Sequence, residues 1–159
     1  MAIYMQVEGV KGDVEEAGHK DWIECNSFQW GVGRGIGSPK SSASDRESSE
    51  ASVSEITVSK SNDESSTELL RQALWGKGKK VEVHFTRTGD NKEQIPYLKY
   101  ELENVLFSGL SLSSGGDRPT ESLSLNFTKF TFHNLDSKNT NEDGSPDRVN
   151  YDLATGIGG

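Results

Sequence analysis

Glu121-Ser122-Leu123-Ser124-Leu125-Asn126-Phe127-Thr128-Lys129-Phe130-Thr131-Phe132 is the stretch that decides the fold. Leu123, Leu125 and Phe127 alternate with polar residues, the two-residue period of a strand with one buried face. At Phe130 and Phe132 the apolar positions resume at the opposite parity. A one-residue change of phase inverts the buried face, so the chain must bulge or pass from one sheet to another near Thr128. The expectation is two sheets around one core.

Working outward, the same period marks further strands. Ile3, Met5 and Val7 alternate with polar residues up to the turn Gly9 to Asp13. A second strand is expected over Trp22 to Trp30, another over Val53 to Lys60 with Ile56 and Val58, and a last one through Val149, Tyr151 and Leu153. Val81, Val83 and Phe85 lead through Thr88-Gly89-Asp90-Asn91 into a strand from Ile95 to about Phe107, which reads as a hairpin that Leu110 and Leu112 prolong. Val105, Leu106 and Phe107 are consecutive and apolar, so both faces of that strand should be covered, one by the core and one by a helix or a neighbouring subunit.

One helix is expected. Ser65 followed by Glu68 has the spacing of a capping box, Leu70, Ala73 and Leu74 share a side, and Gly76 supplies a stop. With about eight strands the reading is mainly β: an antiparallel barrel or sandwich with one short flanking α-helix.

The chain has 159 residues, enough for one domain over 1–159. Its 25 Asp plus Glu against 17 Lys plus Arg leave a net charge of −8, which argues against nucleic acid as a partner, since phosphates are bound by clustered cations. A single cysteine, Cys25, rules out an internal disulfide and a Cys-x-x-Cys motif, as suits a reducing cytoplasm. Residues 1–10 lack the basic and apolar blocks of a leader, and no stretch has the length of a membrane span, so any export is expected to use a route without a signal peptide and without membrane insertion. From Gly31 to about Ser52 the chain is Gly- and Ser-rich and charged, and reads as a long loop.

Candidate chemistry is thin. His19, His84 and His133 lack ligand spacing and read as solvent-exposed strand and loop histidines, so no metal is assigned. No Gly-x-Ser-x-Gly elbow occurs. Glu101 with Glu103 reads as solvated surface, not a glycosidase pair. Gly31-Val32-Gly33-Arg34-Gly35 is followed by no helix that could hold a phosphate. Asn139 to Gly144 imitates the opening of a calcium loop, but Asn139 and Asn150 stand where acids should. No catalytic residue and no cofactor is expected, and the chain reads as a non-enzyme.

Several motifs in order carry a resemblance. They are Val7-Glu8-Gly9-Val10-Lys11-Gly12, His19 before Trp22-Ile23-Glu24, Phe28-Gln29-Trp30-Gly31 before a Gly/Ser-rich loop, Ser65 to Leu74, and Asp117-Arg118-Pro119-Thr120-Glu121 running on to Phe127. Together they resemble the haemolysin co-regulated protein (Hcp) family, the tube protein of type VI secretion. The resemblance implies a two-sheet barrel assembling as a hexameric ring, with rings stacked into an expelled tube whose lumen carries effectors. It further implies a contractile sheath and a spike protein as partners, and a protein made in the bacterial cytoplasm that reaches the extracellular space or a target cell. By the same resemblance Gln29 faces the lumen. Arg34, Lys40, Asp45 and Arg46, on the long charged loop, are candidates for contacts between rings. The competing expectation is a monomeric β-sandwich that binds a glycan or a protein through its loops.

Overall fold

The computed structural model describes residues 1–35, 50–135 and 147–159. Its elements are β1 (Ala2–Val7), β2 (Ile23–Cys25), β3 (Ser27–Gln29), β4 (Val32–Arg34), β5 (Ala51–Val53), β6 (Ile56–Ser61), α1 (Ser66–Trp75), β7 (Lys79–Thr88), β8 (Gln94–Ser113), β9 (Thr120–Asn126), β10 (Lys129–Asn134), β11 (Asp147–Asp152) and β12 (Ile157–Gly158). The first sheet runs β12-β11-β10-β8-β7-β1-β2 and the second β3-β6-β9-β8, with antiparallel pairing throughout. β4 and β5 form a separate ribbon.

The phase change near Thr128 is the passage it was expected to be. β9 pairs with the distal half of β8 in the second sheet, and β10 pairs with the proximal half in the first. Leu123, Leu125, Phe127 and Phe130 are all buried. β8 makes the same crossing without leaving its strand. Its register against β7 shifts between Val81 and Lys79, and Asn104 adopts φ 53° there. A Cβ on Gly78 would meet the Asn104 side chain, which would have to move to admit it.

The expected strand Trp22 to Trp30 is two strands, broken at Asn26 and divided between the sheets. Ile23 and Cys25 point inward, then Phe28 does, so the phase inverts here too. The strand expected over Val53 to Lys60 is likewise split into β5 and β6, and the described residues hold twelve strand segments instead of about eight. Part of the expected loop is strand as well: Val32, Gly33 and Arg34 pair with Val53, Ser52 and Ala51.

The helix lies where its sequence places it, but capped and rotated differently. Ser65 is itself helical, at φ −76° and ψ −15°, and makes no capping bond. Asp63 caps the helix instead: its Oδ1 accepts from Ser65 N at 2.9 Å, while its own N–H donates to Ser66 Oγ at 3.0 Å. Glu68 accepts from Arg71 Nη1 at 2.8 Å and Gln72 Nε2 at 3.1 Å. Leu69 and Ala73 face the core, leaving Leu70 47% and Leu74 60% exposed. Gly76 ends the helix in extended backbone, where a Cβ would strike Gln72 O.

The barrel interior is Met5, Val7, Ile23, Ile56, Val58, Val81, Val83, Leu102, Leu123 and Leu125 with Leu69 from α1. At one end this apolar order is interrupted. Lys60, at the inward parity of Ile56 and Val58, is 0% exposed and pairs in register with Glu121 of β9. Its Nζ lies 2.6 Å from Glu121 Oε2, 3.0 Å from Asp63 Oδ1, 3.0 Å from Ser61 O and 3.3 Å from Ser66 Oγ. Ser66 Oγ donates to the same Glu121 oxygen at 2.8 Å. Every charge there has a partner, which is what allows it to be buried. The cluster ties the start of α1 to both central strands of the second sheet.

Candidate functional site

The two sheets turn chemically different faces outward. Inward positions of the second sheet are Phe28, Ile56, Val58, Leu123, Leu125 and Phe107, so its outward positions are Ser27 and Gln29 on β3, Thr57 and Ser59 on β6, Ser122 and Ser124 on β9, and Ser111 on β8. The result is a ladder of hydroxyl groups. Ser27 and Ser59 stand opposite each other with their oxygens 2.5 Å apart. Gln29 is exposed and pairs with Thr57. A shallow depression beside it is lined by Trp30, Gly31, Ser54, Glu55 and Thr57. Glu55 is held on this face by Ser108 Oγ, donating at 2.6 Å, and Asn126 Nδ2, donating at 3.3 Å.

The outward face of the first sheet carries charge. Lys99 Nζ bridges Glu82 Oε1 at 2.8 Å and Glu101 Oε1 at 3.0 Å, and Glu101 Oε2 accepts from His133 Nε2 at 3.3 Å. Glu82 also accepts from His84 Nε2 at 3.1 Å. The His84 hydrogen bond, with Lys99 and against burial, holds the Glu82 carboxyl down at about 2. Burial opposes the ionised form of Glu101, but Lys99 and His133 outweigh it and lower its pKa. Both groups are therefore held as anions, the wrong state for an acid catalyst, which needs a raised pKa.

The histidines depart from expectation. His19 is 2% exposed, not solvent-exposed, and lies against Tyr4 and Trp22 with ring centroids 4.8 Å from each. His84 reaches it, Nδ1 to Nε2 at 2.9 Å, although 65 residues separate the two in the chain. The pairing of β1 with β7 sets Tyr4 beside His84, and residues 10–22 fold back over that face through the buried side chains Val14 and Trp22. Sequence spacing carries no trace of such a contact.

Among the described residues no group of three or more His, Cys, Asp or Glu is placed to hold a metal ion. Cys25 is buried, and burial pushes its thiol up to about 12, so it is inert as a nucleophile.

Of the expected loop contacts, Arg34 is exposed on the β4–β5 ribbon, paired with Ala51, while Lys40, Asp45 and Arg46 lie outside the described residues, as does the calcium-like stretch Asn139 to Gly144. Sequence reading missed an exposed apolar surface. Leu70, Leu74 and Trp75 stand out from α1, with Trp75 76% exposed, and Leu106 and Leu112 stand out from β8. Val105 and Phe107 are buried, so the consecutive apolar run is an alternation whose outward member, Leu106, stays 45% exposed. No signal for it exists in the sequence of α1, since Leu70 and Leu74 have the spacing of a buried stripe.

A family model described as "Type VI secretion system effector, Hcp" matches residues 4–133. None of the curated protein sequences matches the chain. Among solved structures, the chain is similar to one described as the structure of a type six secretion system protein, at 22% identity over 99% of each chain with a TM-score of 0.84. It is similar to Hcp1 from Salmonella typhimurium at 20% identity, covering 97% of this chain and 95% of that one, with a TM-score of 0.74. It is also similar to a type VI secretion system effector from Yersinia pestis at 22% identity, covering 94% and 98%, with a TM-score of 0.71.

Proposed function

Because the chain belongs to the Hcp family of type VI secretion proteins, we propose that residues 1–159 form one barrel domain working as the subunit of an expelled tube. Six copies close head-to-tail into a ring, rings stack, and effectors travel in the lumen. The family is one of structural secretion proteins and its members are secreted. No described helix is long and apolar enough to cross a membrane.

The observation that carries the reading is the exposed apolar set Leu70, Leu74, Trp75, Leu106 and Leu112. Burying a fully exposed side chain of this kind is worth about 1.5–3 kcal/mol, and about half that for Leu70 and Leu106, which are already half-buried. A ring closed by one repeated contact needs two different complementary surfaces per subunit, and side chains on opposite elements can supply them. The hydroxyl-lined face carrying Gln29 suits a passage wall: most of its side chains are neutral and polar, with Glu55 at one side, so it offers a passing polypeptide hydrogen bonds and few ion pairs. Arg34, with the segment that carries Lys40, Asp45 and Arg46, supplies contacts between rings. These are weak and salt-sensitive, as exposed ion pairs are. The sheath embraces the outer wall and the spike caps the tube. No step requires catalysis by this chain.

The test places a cysteine at Gln29, with buried Cys25 as a silent background. In the assembled particle a small maleimide should label every Gln29→Cys subunit, and a maleimide carrying a long polyethylene glycol chain should stop well short of six per ring. Full labelling by both reagents would put Gln29 on an outer surface. A single-chain mass in solution would favour the monomeric binding module.

A further inference from the structure

The first sheet carries an open apolar pocket. Tyr100, Phe132 and Val149 are successive partners across β8, β10 and β11, and together they form one row of it. Trp30 closes the row from the end of the second sheet, its ring centroid 5.5 Å from Tyr100 and 5.0 Å from Phe130. Val32, from the β4–β5 ribbon, and Val149 stand at the mouth, each about half exposed. The cavity measures about 390 Å³, large enough for an indole and a leucine side chain together. Its lining is almost wholly aromatic and aliphatic, so an occupant must be apolar, and an aromatic one finds ring faces and edges to pack against.

The convex counterpart lies elsewhere on the same chain. Leu74 and Trp75 are the most exposed apolar side chains of α1. The bond between Lys60 and Glu121 belongs to the end of the second sheet where Ser61 pairs with Thr120, and it fixes the start of the helix there. Trp30 follows the pair Gln29–Thr57, toward the other end of β6. The helix leads into β7 at Lys79, opposite Val105, and from Val105 back to Tyr100 β8 runs about 17 Å at the usual rise of a strand. Trp75 accordingly does not line the pocket of its own chain. A protruding group on one part of a subunit and a matching hollow on another make a contact that repeats head to tail.

Charge does not select the occupant. Near the mouth Glu50 and Asp152 are offset by Arg148 and by Arg34, which pairs with Ala51, while beside Trp75 Arg71 is paired with Glu68 at 2.8 Å and Lys77 follows the helix. What matches is apolar shape. A contact between two copies covers both features at once, whereas a foreign occupant of the pocket would leave the helix bare. We propose that Trp75, with Leu74 beside it, seats in the aromatic pocket of the next copy around the ring, an inference that rests on the tube-subunit reading. Trp75 is then the anchor of the subunit contact, the kind of large side chain in an apolar hollow on which interfaces depend most. Because no ion pair is needed, this contact is insensitive to salt, unlike the contacts between rings.

The test joins helix and pocket covalently. Arg71 is exposed one turn before Trp75, and Val149 is exposed at the mouth of the pocket. The chain carrying Arg71→Cys and Val149→Cys, with buried Cys25 as a silent background, is assembled and treated with a short bismaleimide. A covalent ladder reaching six chains is expected, equally at low and high salt, and neither cysteine alone should give one. Adding Trp75→Ala, at a chain concentration near the dissociation midpoint, should cut the ladder at least tenfold. A particle of six-chain mass that yields no ladder would overturn this contact and leave the tube-subunit reading standing, while a single-chain mass would overturn both. A ladder from one cysteine alone, a link formed within a single chain, or a ladder unchanged by Trp75→Ala would each overturn the seating of Trp75 in a neighbour.

Discussion

Replacing Lys60 by Met removes the one cation from a buried cluster and leaves its anions behind. In the intact chain the ammonium touches Glu121 at 2.6 Å, Asp63 at 3.0 Å and two further oxygens, and its side chain is 0% exposed. Met fills the volume, so the transfer of methylenes nearly cancels. What is lost is the counter-ion of Glu121, which is itself 3% exposed. Breaking a buried pair on one side costs about 3–5 kcal/mol. Against a usual stability of about 5–15 kcal/mol, this removes a large share. With a urea slope of about 2 kcal/mol per molar, the unfolding midpoint should fall by about 1.5–2.5 M. The double variant Lys60→Met, Glu121→Met removes the two most buried of the three charges, leaving Asp63, and should recover at least half of the loss, because a well-packed apolar pair substitutes for a buried ion pair at little cost. Equilibrium urea unfolding at one fixed chain concentration measures Lys60→Met, Glu121→Met and the double variant against the parent. A loss below about 1 kcal/mol for Lys60→Met, or a double variant as unstable as the two single losses added, would refute the reasoning.

Leu74→Ser with Trp75→Ala strips the exposed side of α1, and should weaken subunit association at least tenfold in a dilution series while leaving chain stability within about 0.5 kcal/mol, since both side chains are more than half exposed. Gly76→Ala should destabilise the chain by about 1–3 kcal/mol in thermal unfolding, because a Cβ there meets the Gln72 carbonyl. Glu82, depressed to about 2 in the folded chain, contributes stability that is complete above its ordinary range near 4.5 and is lost as pH falls toward 2. An acid titration of stability should show a shallower loss in that window for Glu82→Gln. Cys25 should react with a thiol reagent only as fast as the chain unfolds, given its burial and a thiol pushed up to about 12.

Two sheets were legible because strand parity reports which side is buried, and the shift between Phe127 and Phe130 cannot be accommodated in one flat strand. The same signal lies between Cys25 and Phe28, but there Trp22, Phe28 and Trp30 share a parity and hide it. The rotation of α1 was not legible, because Leu70 and Leu74 have the spacing of a buried stripe and only packing against β8 shows that Leu69 takes that place. Lys60 and Glu121 did carry a sign, each a charge at an apolar parity. The line through His19 and His84 carried none, since strand register alone joins residues so far apart. The hydroxyl face with Gln29 follows from the outward parity of β3, β6 and β9 once their pairing is known.

Light scattering on the purified chain, after size exclusion at low and high salt, tests the tube-subunit reading most directly. A mass six times the 17.4 kDa of one chain is expected at both salt concentrations, with larger stacked species only at low salt. A folded particle of single-chain mass at high protein concentration would contradict it.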